Sequence, residues 1–203
     1  MSIDASQVKE LRTKTGAGIM DCKKALAESS GDITQAMDYL RKKGLASAAK
    51  KAGRDTKEGL IGSYVHGNGK VATMVEVACE TDFVARTDEF QAMARDFAMH
   101  VAAHDPTPLG VSREDVDPAL AATEREVMLA QVKEMGKPAE IAEKIVEGKM
   151  DKWYAERTLL EQNFVKDPDQ KIEDIVKGAI SKLGENVQIV RFSRFVLGET
   201  SGS

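Results

Sequence analysis

Residues 60–86, LIGSYVHGNGKVATMVEVACETDFVAR, decide the fold. Leu60 to His66 and Lys70 to Cys79 are rich in β-branched and apolar residues, and Gly67-Asn68-Gly69 between them supplies the positive-φ positions a tight hairpin needs. Two antiparallel strands follow. The second strand then runs into Cys79-Glu80-Thr81-Asp82-Phe83-Val84-Ala85-Arg86, and helix-like sequence leads away from Thr87. Asp82 and Phe83 are therefore expected on a tight connection at the end of a strand. On spacing alone two readings of the pair stay open: a helix cap with a hydrophobic anchor, or a charge and a wedge that enter a partner.

Downstream, Thr87 is placed to cap a helix whose Phe90, Met93, Ala94, Phe97 and Val101 form one apolar stripe, expected to pack on the sheet. Helical patterns run from Pro118 to Met135 and from Pro138 to about Arg157, while Leu159 to Asp169 reads as a connection. Ile172, Ile175, Val176, Ala179, Ile180 and Leu183 give the clearest helical stripe, closed by Gly184, and Val187 to Leu197 reads as a final strand. Since a hairpin alone is marginal, that strand is expected to join it as a third.

Upstream, three short helices are predicted. Val8 and Leu11 mark the first, and Thr15-Gly16-Ala17-Gly18 breaks it. The second covers Ile19 to Ser29 with Ile19, Cys22, Ala25 and Leu26 on one face. Gly31 stops it, and Asp32 opens a third helix, with Gln35 in capping-box position and Ile33, Ala36, Met37 and Leu40 as its buried face. Ala46 to Asp55 reads as a helical extension or linker. The fold class is thus α+β: a helical module over 1–55, then a core over 56–203 with a small three-stranded antiparallel sheet packed by helices and a helical extension, including a helical hairpin-like region about 138–170.

Composition bounds the rest. With 42% hydrophobic and 31% charged residues, the 203-residue chain matches neither a disordered nor a membrane class. No charged segment precedes an apolar core at Met1-Ser2-Ile3-Asp4, and no run of about 18 apolar residues occurs, so the cytoplasm is the expected compartment. Cys22 and Cys79 lack CxxC spacing and read as small buried residues. Residues 1–58 carry twelve Lys/Arg against eight Asp/Glu; the remainder carries seventeen against twenty-five. Lys42, Lys43, Lys50, Lys51, Arg54 and Lys57 make the excess, which suits either a phosphate-binding surface or a solvated helix end.

Catalytic chemistry finds little support. Gly16 and Gly18 begin a dinucleotide fingerprint, but Asp21 stands where the third glycine belongs and a helix precedes them. There is no phosphate-cradling GxxxxGK[ST] and no GxSxG elbow. His100 and His104 have the i, i+4 spacing of helical metal ligands, yet Val101 replaces the glutamate of an HExxH helix. His104 lies on the apolar stripe, which points to core packing, and His100 on its flank, which points to a surface or interface role. No enzyme activity, resident cofactor or metal is expected. Aromatic content of 5% weighs against a base-stacking nucleic-acid binder. Met20 falls off the buried stripe of its helix, and either packs under another part of the module or touches a partner together with Ile19.

These residues, taken in order, resemble the bacterial elongation factor Ts family. Val8-Lys9-Glu10-Leu11-Arg12, Thr15 to Leu26, Glu80 to Arg86, Ala98 to Ala103, Gly136-Lys137-Pro138, Ile141 to Gly148 and Arg191-Phe192-Ser193-Arg194-Phe195 carry the resemblance over nearly the whole chain, with Thr200 to Ser203 outside it. It implies a guanine-nucleotide exchange factor for elongation factor Tu in translation elongation, with no direct nucleic-acid or membrane partner. It also implies that the first module resembles ubiquitin-associated domains and docks on the GTPase through Arg12, Ile19 and Met20. By the same carry-over Thr81, Asp82, Phe83 and Val84 disturb the partner's magnesium site, Phe83 and His100 enter or border a pocket on the GTPase, and the C-terminal portion touches a second GTPase domain. Longer members carry two similar core halves; this chain has one hairpin, so it resembles the short form, for which a homodimer giving a 2:2 complex supplies the second half. Ser193 stands where some short members have cysteine, so any dimer here rests on packing. The rivals are an adaptor that uses residues 1–55 alone and a metal-dependent enzyme built on His100 and His104.

Overall fold

The structure, a computed structural model, describes residues 4–136 and 138–199. Lys137, Met1 to Ile3 and Thr200 to Ser203, which figure in the sequence pattern above, lie outside the described residues. The fold is α+β. Among the described residues there are eight α-helices, a three-stranded antiparallel sheet of order β1-β2-β5 and a two-stranded sheet of β3 and β4. The chain forms two compact units. One comprises the described residues through Gly59 with Ala78–Thr87 and Asp174–Gln188; the other comprises Leu60–Val77, Asp88–Glu173 and the described residues from Ile189 on.

In the first unit, α1 (Ala5–Thr15), α2 (Ile19–Glu28) and α3 (Ile33–Lys51) enclose a core of Val8, Leu11, Cys22, Ala25, Leu26 and Ala36. Asp4 and Gln7 close a capping box on α1, and Gln7 also donates to the Gly31 carbonyl at 3.1 Å, tying α1 to the α2–α3 turn. Asp32 caps α3 by accepting from the Gln35 amide at 2.9 Å. Two expectations change here. Ile19 and Met37 are exposed, and the third helix's face is completed instead by Tyr39, beside Ile33 and Leu40, because a three-helix core this small accepts only a narrow stripe centred on Ala36. The stretch from Ala46 is no linker as far as Lys51: α3 continues because its far half meets α8 (Ile172–Leu183). There Lys51 Nζ donates to the Ile180 carbonyl at 3.3 Å, Arg41 faces Asp174 at 3.7 Å, and Gly44 lies against Ser181.

The hairpin strands are β1 (Glu58–Val65) and β2 (Val71–Cys79), with β5 (Val187–Val196) on the other side of β2. Of the three turn residues only Gly69 takes positive φ, 69°; its amide bonds the His66 carbonyl, and His66 bonds Val71 to close the ladder. In the second unit α5 (Asp88–Ala103) lies on this hairpin. Thr73 donates its hydroxyl to the Ala98 carbonyl, and a Cβ on Gly62 would sit 2.3 Å from Ala94 O. Phe90, Ala94, Phe97 and Val101 are fully buried as the stripe predicts, while Met93 is half-buried.

α6 (Pro118–Glu134) and α7 (Ala139–Arg157) form a helical hairpin around Val116, Val132, Ala142, Val146, Met150 and Trp153, turning at Gly136 with φ 69°. At its base Arg113 binds Asp151 and Glu161 and lies 5.0 Å from the Tyr154 ring centre. The hairpin therefore starts earlier and ends earlier than the 138–170 region. Nor is Leu159 to Asp169 a bare connection: it holds β3 (Asn163–Phe164) and the start of β4 (Asp167–Lys171), strands too short for a periodic pattern to show. No described helix is long and apolar enough to cross a membrane.

Candidate functional site

Thr81 to Val84 do not form a simple turn. Asp82–Ala85 is a four-residue helix, α4, which Thr81 caps in extended conformation. So short a helix has no cooperative stability of its own, so its ends must be held from outside. The Thr81 amide and the Glu80 amide both donate to Glu185 Oε2, at 3.0 and 3.1 Å, and the Thr81 hydroxyl donates to Glu185 Oε1 at 2.6 Å. With its proton committed there, the hydroxyl oxygen faces the Val84 amide at 3.5 Å. The Thr81 carbonyl accepts from the Ala85 amide and from the Cys79 thiol at 3.2 Å. Burial, with the Glu185 charge second, pushes that thiol's pKa up, which keeps the proton on sulfur.

The return connection is as well tied. Asn186, buried, donates its amide to Glu80 Oε1 at 2.6 Å and its side-chain nitrogen to the Arg54 carbonyl at 2.9 Å; Arg54 in turn faces Glu80 at 3.4 Å. Polar bonds thus fix the N-terminal end of α4, while Phe83 in its first turn stays bare. Phe83 is 80% exposed. Asp82 is half-buried and pairs with Arg86 one turn on at 2.9 Å, a contact at the surface and worth little. Neither Glu185 nor Asn186 stood out in the sequence. Their only local sign is an acid and an amide directly after Gly184, which takes φ 78° to end α8; the partners lie about a hundred residues back.

The same unit carries the three other predicted contact residues. The Thr15–Gly18 turn is rigid: Gly16 takes φ 66° and bonds the Arg12 carbonyl, Thr15 Oγ1 donates to Leu11 O at 2.7 Å, and the Lys182 stem lies against Gly16. Arg12 precedes the turn on α1 and Ile19 and Met20 follow it on α2, all exposed, with Met20 at 75% and Ile19 at 47%. Of the two readings of Met20, packing under another part of the module does not fit a side chain this exposed.

His100 is not with them. Contrary to the expectation that His104 is core and His100 is at the surface, His100 is fully buried and His104 half-buried. The helix rotates this way because His100 has polar partners inside the second unit. Its Nδ1 accepts from the Val165 amide at 3.2 Å, and its Nε2 bonds Gln162 Oε1 at 3.0 Å. Gln162, also buried, passes its amide protons to the Glu156 carbonyl at 2.7 Å and the Pro106 carbonyl at 3.4 Å. The pattern selects the neutral imidazole with its proton on Nε2. Burial pulls its pKa down to about 4, the Gln162 bond opposing and His104 reinforcing. Such a ring ties together the loops around Gln162 and Val165. Among the described residues no group of three or more His, Cys, Asp or Glu is placed to hold a metal ion.

The family model described as elongation factor TS matches residues 6–199. The elongation factor Ts of Geobacter sulfurreducens is 58% identical over 199 residues, covering 98% of this chain and 91% of the relative. Those of Herpetosiphon aurantiacus and Fervidobacterium nodosum are 57% and 54% identical, covering 98% of this chain and 99% and 100% of the relatives.

Proposed function

The chain belongs to the elongation factor Ts family, and on that footing we propose that it is the guanine-nucleotide exchange factor for elongation factor Tu in translation elongation. In this reading it binds the GDP-loaded GTPase, disturbs the Mg²⁺ site, promotes GDP release and stays bound until GTP enters. The carrying observation is Phe83: a large apolar side chain 80% exposed in the first turn of a short helix whose N-terminal residues are hydrogen-bonded to Glu185.

The physics follows from how a GTPase holds GDP. Backbone amides and Mg²⁺ share the phosphate charge, so a wedge that shifts those elements removes metal geometry and several charge-assisted bonds together. Phe83 is the wedge. Asp82 adds a negative charge beside it, which either repels phosphate or competes for groups that orient the metal's waters; Thr81 and Val84 hold the pair in its helix. Acceleration requires tighter binding to the empty GTPase than to the loaded one, and the coupling is reciprocal. A thousandfold effect needs about 4 kcal/mol. Full burial of one phenylalanine contributes about 1.5–3 kcal/mol. The remainder is assigned to Arg12, Ile19 and Met20 on the docking turn, while the buried His100 contributes through the loops it ties. A homodimer and a 2:2 complex belong to the same reading, with Ile61, Val65, Met74 and Phe195 as exposed apolar side chains for a second copy to cover.

The test is stopped-flow release of a fluorescent GDP analogue from elongation factor Tu with wild type, Asp82→Ala and Phe83→Ala. Wild type is expected to accelerate release strongly. Phe83→Ala is expected to lose about ten- to a hundredfold of that rate at unchanged thermal stability, because its ring is exposed in the free protein. Release at the intrinsic rate with wild type refutes the function; a normal rate with Phe83→Ala refutes the wedge alone.

A further inference from the structure

We propose that Glu185 is a positioning residue for the exchange step, setting the orientation of Phe83 from behind without touching the partner. The inference rests on the exchange reading above. An ionised carboxylate only accepts hydrogen bonds, and here it receives three: the Glu80 and Thr81 amides on one oxygen and the Thr81 hydroxyl on the other. Two consequences follow from that set. The last bond fixes the Thr81 rotamer, and with it the hydroxyl lone pair that faces Val84 N and starts α4. The first two fix the backbone one and two residues before Asp82. Phe83, exposed, has no packing to orient it, so its direction is that of the helix it stands on.

The brace is reciprocal. Glu185 takes the amides of residues 80 and 81, while Glu80 takes the amide of Asn186, and Asn186 reaches back to the carbonyls of Ala52 and Arg54 at the end of α3. Four residues before Asn186, in the last turn of α8, Lys182 lies along Gly16 of the docking turn. The segment 182–186 therefore touches both surfaces that the exchange reading requires, within one compact unit. Loosening it at Glu185 leaves the docking turn in place and frees only the wedge. A wedge that wanders must be ordered at the moment it enters the partner, and that cost falls on the step it drives rather than on first contact.

The experiment uses full-length protein and elongation factor Tu loaded with a fluorescent GDP analogue, in a double-mutant cycle of Glu185→Gln and Phe83→Ala. Glu185→Gln keeps the shape and turns one acceptor oxygen into a donor. The maximal release rate is expected to fall about tenfold, with the half-saturating concentration within about twofold of wild type. In the Phe83→Ala background the same change is expected to do almost nothing, since there is no wedge left to aim. Amide exchange at residues 80–84 is expected to quicken. Should Glu185→Gln not fold, Thr81→Val removes the hydroxyl bond from the other side and takes its place in the cycle. A variant that releases GDP as fast as wild type overturns the proposal and leaves the exchange reading standing. So does an equal loss in both backgrounds, which marks a general structural role. If wild type itself gives no acceleration, the exchange reading fails, and this role falls with it.

Discussion

Mild acid gives a direct test of the His100 knot. In the fold, Nδ1 accepts from the Val165 amide, so a second ring proton would point at another N–H, and burial pulls the pKa from 6.5 to about 4. Above pH 6.5 the ring is neutral in both folded and unfolded chains and the knot contributes fully. As pH falls from 6.5 towards 4 the unfolded chain takes up a proton that the folded chain refuses, so stability falls with pH; below 4 both are protonated and the loss stops growing. The linkage relation puts the loss at about 2 kcal/mol at pH 5 and about 3 kcal/mol at its limit. Carboxylates titrate over part of the same range, so the measurement is a comparison: urea unfolding of wild type and His100→Gln at pH 7 and pH 5. The variant starts less stable, having lost bonds to Val165 and Gln162, but it is expected to lose about 2 kcal/mol less on acidification. The His100 imidazole signals of wild type should remain those of a neutral ring at pH 5. Equal acid losses in the two proteins, or a ring that ionises near 6.5, would refute the buried neutral tautomer.

Gly62→Ala puts a methyl group 2.3 Å from Ala94 O and 2.5 Å from its carbonyl carbon, and helix backbone cannot give way as a side chain can. A loss of about 3 kcal/mol is expected in denaturant unfolding, and a variant as stable as wild type would mean α5 does not lie on β1 as described. Met20→Ala removes a side chain three-quarters exposed, so stability should stay within about 0.5 kcal/mol. Affinity for the GTPase, by titration calorimetry, should fall about tenfold; unchanged affinity would take Met20 off the docking surface.

What could be read from sequence was what repeats along the chain. The stripe Phe90, Ala94, Phe97 and Val101 is periodic, and each of the four lands in the core. The ordered motifs around Thr15 to Leu26 and Glu80 to Arg86 carried the family. What was missed lacks periodicity. β3 has two residues, too few to alternate. His100 and His104 differ by one helical turn on an apolar background, and which of them turns inward is decided by Gln162 and Val165, more than sixty residues on. Glu185 has the same character: a single acid after a helix stop, given meaning by two amides 104 and 105 residues earlier.

On the exchange reading proposed above, the exposure of Phe83 and the polar character of its support have one cause. Had apolar packing held the ring in the free protein, docking would first have to undo that packing, and the burial energy gained in the partner would be offset by the burial energy lost at home. A ring that starts exposed gives up no packing when it docks, but it then needs direction from something other than its own contacts. Hydrogen bonds to the backbone behind it supply direction without covering the ring. A carboxylate suits this place better than a neutral acceptor, because one group satisfies two amides and a hydroxyl together and holds all three at charge-assisted strength. The arrangement separates two tasks that packing would merge: the ring keeps its full apolar surface for the partner, and residues 182–186 keep its aim.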